Sequence, residues 1–166
     1  MLHKIVKELD KALKFETASA HCDVPCGIYD PSTAQIAALT VIRMLDLISE
    51  LAENDNLTVA DQAKLARFID QKEQHANQVK EEIRIIWGDY FKQPQFDQVP
   101  GVHELVHSIM LQGSKCRQTI ERENGLELLN LVNQFAEGFW KTKGVETFSA
   151  TCPYLPKQTV VYPKLG

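Results

Sequence analysis

The chain has 166 residues, an apolar fraction of 44%, a charged fraction of 24% and a formal charge of -4. That length supports one well-buried core and is too short for two ordinary domains. An acidic balance without a Lys/Arg stripe excludes the electrostatic footprint of a nucleic-acid binder, and no apolar run approaches the roughly 18 to 20 residues that span a bilayer.

The opening stretch MLHKIVKELDKALKF places Leu2, Ile5, Val6, Leu9 and Leu13 on one helical face, which predicts a short amphipathic helix. Charges interrupt each of its apolar runs, so it lacks the apolar centre of a secretory signal. Ala18-Ser19-Ala20 nevertheless forms a small-residue cleavage context that ends directly before His21. The first twenty residues carry four lysines against three acids, a sum of +1 whose removal takes the chain from -4 to -5.

Asp30-Pro31-Ser32 supplies a helix cap with proline at the first helical position. The helix that follows has a broad apolar stripe through Ile36, Leu39, Ile42, Leu45, Ile48 and Leu51, and the run Glu53 to Asn56 ends it. Such breadth predicts burial of more than one face, against a core and against another subunit. Thr58 with Asp61 resembles a capping box and opens a second long helix that stops near Gly88 and Pro94. A third follows Pro100 as far as Ile120. The break at Glu123-Asn124-Gly125 precedes a fourth, ended by Gly144. Four long helices on short connections predict an all-α fold, an antiparallel four-helix bundle. Residues 145–166, with Pro153, Pro156 and Pro163, read as an irregular extension in which Thr159 to Tyr162 forms either a short strand or a clamp on a neighbour. The division is therefore a leader at 1–20, a hook and bundle at 21–144, and the extension at 145–166.

The four cysteines, at 22, 26, 116 and 152, are not spaced as a disulfide framework and read as reduced thiols of a cytosolic protein. Cys116 and Cys152 read as ordinary small side chains. Cys22 and Cys26 differ, because they stand in HCDVPCGIYDP. If the chain is cut after Ala20, the His21 amine and the Cys22 amide nitrogen close a five-membered chelate ring on one metal, and the Cys22 amide with its own thiolate closes another. The turn allowed by Pro25 and Gly27 brings the Cys26 sulfur back to complete a square, with the His21 imidazole on the axis. Planar coordination by two nitrogens and two sulfurs favours nickel(II) or copper(II) over zinc, and thiolates favour nickel.

The stretch HCDVPCGIYDP resembles the amino-terminal metal hook of the nickel superoxide dismutase family. IIWGDYF followed by proline, and FWKTK, resemble further stretches of that family in the same order, over about residues 21–143. The resemblance implies a homohexamer of four-helix bundles with one nickel ion per subunit, cycling between +2 and +3 as superoxide becomes dioxygen and hydrogen peroxide in the cytoplasm. It implies His21, Cys22 and Cys26 as ligands, Tyr29 near the open face of the metal, the backbone around Asp23 holding an anion or water, a cis Pro25, and a peptidase that removes the leader. The chain also departs from the family pattern. Ala37 stands where the pattern has a glutamate supporting the axial imidazole, and His75 stands where it has an arginine holding that glutamate.

Two other readings compete. His103-Glu104-x-x-His107 fits the zinc peptidase pattern of two histidines one helical turn apart with a glutamate base; Met110 and Gly113 occupy positions where a metzincin would continue it. A nickel or copper carrier would use the same hook without turnover, whereas Tyr29 beside a redox metal favours catalysis.

Overall fold

In the computed structural model the residues described are 26–166. The amphipathic helix expected at the start of the chain and the cis Pro25 lie outside them. Four long helices dominate: α1 (Ser32–Ala52), α2 (Val59–Ile85), α4 (Val102–Gln118) and α5 (Arg122–Thr142). Between α2 and α4 run a π-helical turn (Ile86–Tyr90) and the short α3 (Gln93–Gln98), and strands β1 (Thr147–Thr151) and β2 (Thr159–Pro163) follow α5.

Local chemistry sets the helix starts. The Asp30 carboxylate accepts the Ser32 N–H at 2.7 Å, and the Pro31 carbonyl takes the first helical bond from Gln35. At α2 the Thr58 hydroxyl accepts the Asp61 N–H while the Asp61 carboxylate accepts the Thr58 N–H, the reciprocal capping expected. Each of the four long helices packs on two others: α1 on α2 and α5, and α4 on α2 and α5. With α1–α2 and α4–α5 joined by short connections, neighbours run antiparallel in a four-helix bundle. Its core contains Ile42 and Leu45 of α1, Ile83 of α2, Ile109 of α4, and Leu128, Phe135 and Phe139 of α5.

Three details differ from the sequence reading. The third break lies at Thr119–Glu121, and Glu123-Asn124-Gly125 is the first turn of α5. Gly125 is there for close packing: a Cβ on it would stand 3.0 Å from both the Ile42 and Leu45 side chains. Ile36 belongs to the apolar stripe by spacing but is 55% exposed, because Ala34, Ala37, Ala38 and Val41 form the inward surface. The extension is an ordered antiparallel ribbon, with Ala150 opposite Val160 and Thr151 opposite Thr159.

A two-stranded ribbon is marginal alone, and this one is fastened to the bundle. Cys152, Val160 and Val161 are buried. The Asn133 side chain on α5 accepts the Val161 N–H and donates to the Thr159 carbonyl. Buried Gln35 on α1 donates to the Val161 carbonyl at 2.8 Å and to Asn133 at 3.0 Å. Backbone groups of β2 that would otherwise be stranded against the bundle are thereby satisfied.

Candidate metal centre

Of the predicted ligands, Cys26 is described and exposed, while His21, Cys22 and Asp23 lie outside the described residues. Gly27 follows with φ of +69°, a conformation any L side chain would strain. It turns the chain so that the Ile28 N–H points at the Cys26 sulfur, 3.5 Å away. The contact is local, between residues two apart, and leaves the sulfur on the exposed side of the turn. Among the described residues no group of three or more His, Cys, Asp or Glu side chains could hold a metal ion, so such a centre needs donors from the segment before Cys26.

Three residues on, Tyr29 leaves the surface and packs against the core. Its ring lies 5.7 Å from that of Tyr90, at 44° between planes. Tyr90 closes the π-helical turn, where one extra residue per turn re-aims a side chain, and its ring also meets Phe139 at 5.0 Å. The Tyr90 hydroxyl is 2.7 Å from the Thr142 hydroxyl, and Thr142 gives its one proton to the Phe139 carbonyl at 2.6 Å. Tyr90 is therefore the donor of the shared bond. The Lys143 ammonium stands over the Tyr90 ring, 4.3 Å from its centroid, a favourable placement against the ring's negative face. Tyr29 thus rests on a platform made by two distant stretches, one ending α2 and one ending α5.

Sequence reasoning had singled out both stretches, Ile85 to Phe91 and Phe139 to Lys143, without giving Tyr90, Thr142 or Lys143 a place. The available signal is a tyrosine and a threonine among the aromatic residues of two helix ends, and only their meeting shows its use.

The other candidates resolve differently. His103 and His107 are both exposed on α4. The His103 Nδ1 accepts the Trp87 indole N–H at 3.1 Å, and its ring packs on Phe96 at 4.5 Å. With Nδ1 accepting, the neutral ring carries its proton on Nε2, which leaves no lone pair for zinc. Among the described residues no third metal-ligating side chain joins the pair, and the peptidase reading finds no support. Ala37 is 1% exposed within the core. The His75 Nδ1 is 2.8 Å from the Gln71 carbonyl, which only accepts, so Nδ1 holds the proton and the ring is tied to its own helix. Cys116 and Cys152 are buried, with thiols donating to the Asn124 and Tyr154 carbonyls at 3.2 Å each, as ordinary packed side chains do.

The family model described as nickel-containing superoxide dismutase matches residues 16–143. The superoxide dismutase [Ni] of Streptomyces coelicolor is 35% identical over 127 residues, covering 76% of this chain and 91% of that protein. The corresponding protein of Streptomyces seoulensis is 35% identical over 125 residues, covering 75% of this chain and 89% of its own. A native nickel superoxide dismutase structure superimposes with a TM-score of 0.64 at 34% identity, over 74% of this chain and 99% of that one. A structure with nickel ligation of the oxidised state gives the same TM-score, 0.64, and the same identity, 34%. The match crosses the hook, the bundle and both stretches that meet at Tyr90, and the chain belongs to the family of nickel-containing superoxide dismutases, nickel-dependent oxidoreductases.

Proposed function

We propose that this protein, once cut after Ala20, converts superoxide to dioxygen and hydrogen peroxide at one nickel ion per subunit. The ion would be held by the amine and imidazole of His21, the amide nitrogen and thiolate of Cys22 and the thiolate of Cys26. Nickel when bound supplies the one-electron exchange, alternating between +2 and +3. The observation that carries the reading is the Tyr29–Tyr90 platform directly behind Cys26, with ring centroids 5.7 Å apart. It ties Tyr29, three residues after Cys26, to the bundle, which suits a metal-binding segment that has to be carried on a rigid element.

The chain's own groups have simple tasks. Cys26 donates its sulfur, and the Ile28 N–H moderates the charge on it. Tyr29 would help orient water or a small anion at the centre, with the backbone around Asp23 helping to hold it. Tyr90 gives its proton to Thr142, so it serves as a support for Tyr29 and not as a proton source. The exposed ammonium of Lys143 places a positive charge beside this platform in an otherwise acidic chain, a favourable local field for a small anion. Ala37 is buried and His75 is bonded to its own helix, so the pair of supports in the family pattern would not be available to the His21 imidazole.

The family likeness also supports a homohexamer in the cytoplasm and a peptidase that activates the chain. Residues 1–20 act as the leader, 21–144 as hook and bundle, and 145–166 as the extension. Among the described residues no helix is long and apolar enough to cross a membrane. The test is the decay of a superoxide pulse with nickel-loaded protein beginning at His21, beside the uncleaved chain. Rapid catalytic decay from the cleaved form alone is expected. No acceleration from folded, nickel-bound, cleaved protein would overturn the proposal.

A further inference from the structure

Beside the start of α1 lies an apolar groove of about 360 Å³ lined by Ile36, Leu39, Thr40, Arg43, Tyr154 and Leu155. One wall is α1 and the other is the loop of the ribbon between β1 and β2. Ile36, Tyr154 and Leu155 are 55%, 47% and 59% exposed. The polar side chains lining it are occupied internally. The Thr40 hydroxyl donates to the Ile36 carbonyl at 2.9 Å, and Arg43 pairs with Glu50 at 3.0 Å. What the groove offers an occupant is hydrocarbon.

We infer that this groove is the docking site of residues 1–15 of the same chain, so that the ribbon acts as a cradle for the leader. Three observations select this occupant. Leu2, Ile5, Val6, Leu9 and Leu13 share one helical face, the pattern of an amphipathic helix laid in an apolar groove. The leader and the ribbon are also the two parts of the chain outside the family match, which spans residues 16–143; one brings an apolar stripe and the other half of an apolar groove. Finally, the groove lies along the helix that the hook leads into: its α1 wall, Ile36 to Arg43, begins ten residues after Cys26 and is about 10 Å long at 1.5 Å per residue, and residues 16–25 can extend roughly 33 Å.

The inference rests on the reading of residues 1–20 as a removable leader and adds how it is held and released. While the chain is intact, a tether of about ten residues gives an effective concentration in the millimolar range, so weak docking is enough. Hydrolysis after Ala20 removes the tether, and the same contacts no longer retain the peptide. The ribbon thereby makes release of the leader follow from cleavage.

The experiment uses the full chain with Leu9→p-benzoylphenylalanine, photolysed in an equal mixture of ordinary and nitrogen-15-labelled protein. The expected result is cross-linking of position 9 to Ile36, Thr40, Tyr154 or Leu155 within one isotopic species. A second variant adds Leu155→Asp, an exposed position, with retained helicity checked by circular dichroism. It should lower the cross-link yield and raise trypsin cleavage at Lys7 and Lys11, each by about tenfold, since a charge in the groove costs more than about 1.4 kcal/mol. Cross-links between species would show a second copy as the occupant and overturn the inference, as would cross-links elsewhere or none. Neither readout depends on superoxide, so a leader that must be removed for activity yet fails to cross-link sinks the docking alone. A leader that cross-links in a fully active uncleaved chain sinks the activation reading alone.

Discussion

At the scale of single residues, burial decides chemistry. Cys116 is fully buried, and burial pushes its thiol up to about 11 from the ordinary 9.0, with the nearby Lys72 ammonium opposing only in part. A thiol that stays protonated in the folded chain while the unfolded chain ionises contributes stability that is complete below pH 9 and lost as pH rises towards 11. Denaturant unfolding at pH 8 and pH 10.5 should therefore show the native protein losing about 2 kcal/mol more than Cys116→Ala; equal losses would refute the assignment. Lys72 is the complementary case. Its buried ammonium donates to the Arg117 and Thr119 carbonyls at 2.9 and 2.6 Å, and desolvation lowers its pKa. A cation at the last carbonyls of α4 satisfies groups every helix end leaves open.

At the scale of elements, one glycine sets how closely α1 and α5 approach. Gly125 lies in a helix, where glycine costs about 1 kcal/mol against alanine, so its presence points to packing. Both neighbours it would strike, Ile42 and Leu45, are buried and have little room to move. Gly125→Val should lower the unfolding free energy by about 2 to 3 kcal/mol through overpacking. Gly88→Ala, with nothing within 4 Å of the added methyl group, should leave stability within about 0.5 kcal/mol. Thermal melts of the two variants side by side measure the contrast, and a Gly125→Val protein as stable as Gly88→Ala would refute the close approach. The π-helical turn after α2 has the opposite use: it ends the helix where Tyr90 must swing to meet Tyr29 and Thr142.

For the whole molecule, the ribbon is joined to the bundle by a few polar bonds around Asn133. Asn133→Ala removes the partners of the Val161 N–H and the Thr159 carbonyl and one of the two acceptors of the Gln35 amide. Each buried group left without a partner costs about 1 to 3 kcal/mol. Hydrogen exchange at the Val161 amide should then accelerate by more than about tenfold, while amides in the middle of α2 and α4 keep their protection. Uniform acceleration everywhere would mean that the ribbon and bundle unfold as one unit. The Tyr29–Tyr90 contact involves no residue of the ribbon, so a loosened ribbon should leave it intact.

The sequence by itself determined the helical architecture and the caps at Asp30 and Thr58, because these depend on neighbours in the chain: periodicity, and a side chain reaching two or three residues ahead. It also made Cys116 and Cys152 legible as ordinary packed thiols. Tertiary structure alone decided the rest. Gly125 reads as a helix break until Ile42 and Leu45 are seen against it, and Ile36 reads as core until smaller alanines take the inward face. The histidine pair on α4 keeps its peptidase spacing until Trp87 occupies His103. Tyr90 and Thr142, separated by 52 positions, have no local signal of their meeting, because hydrogen bonds and ring contacts between distant segments exist only once the helices have packed.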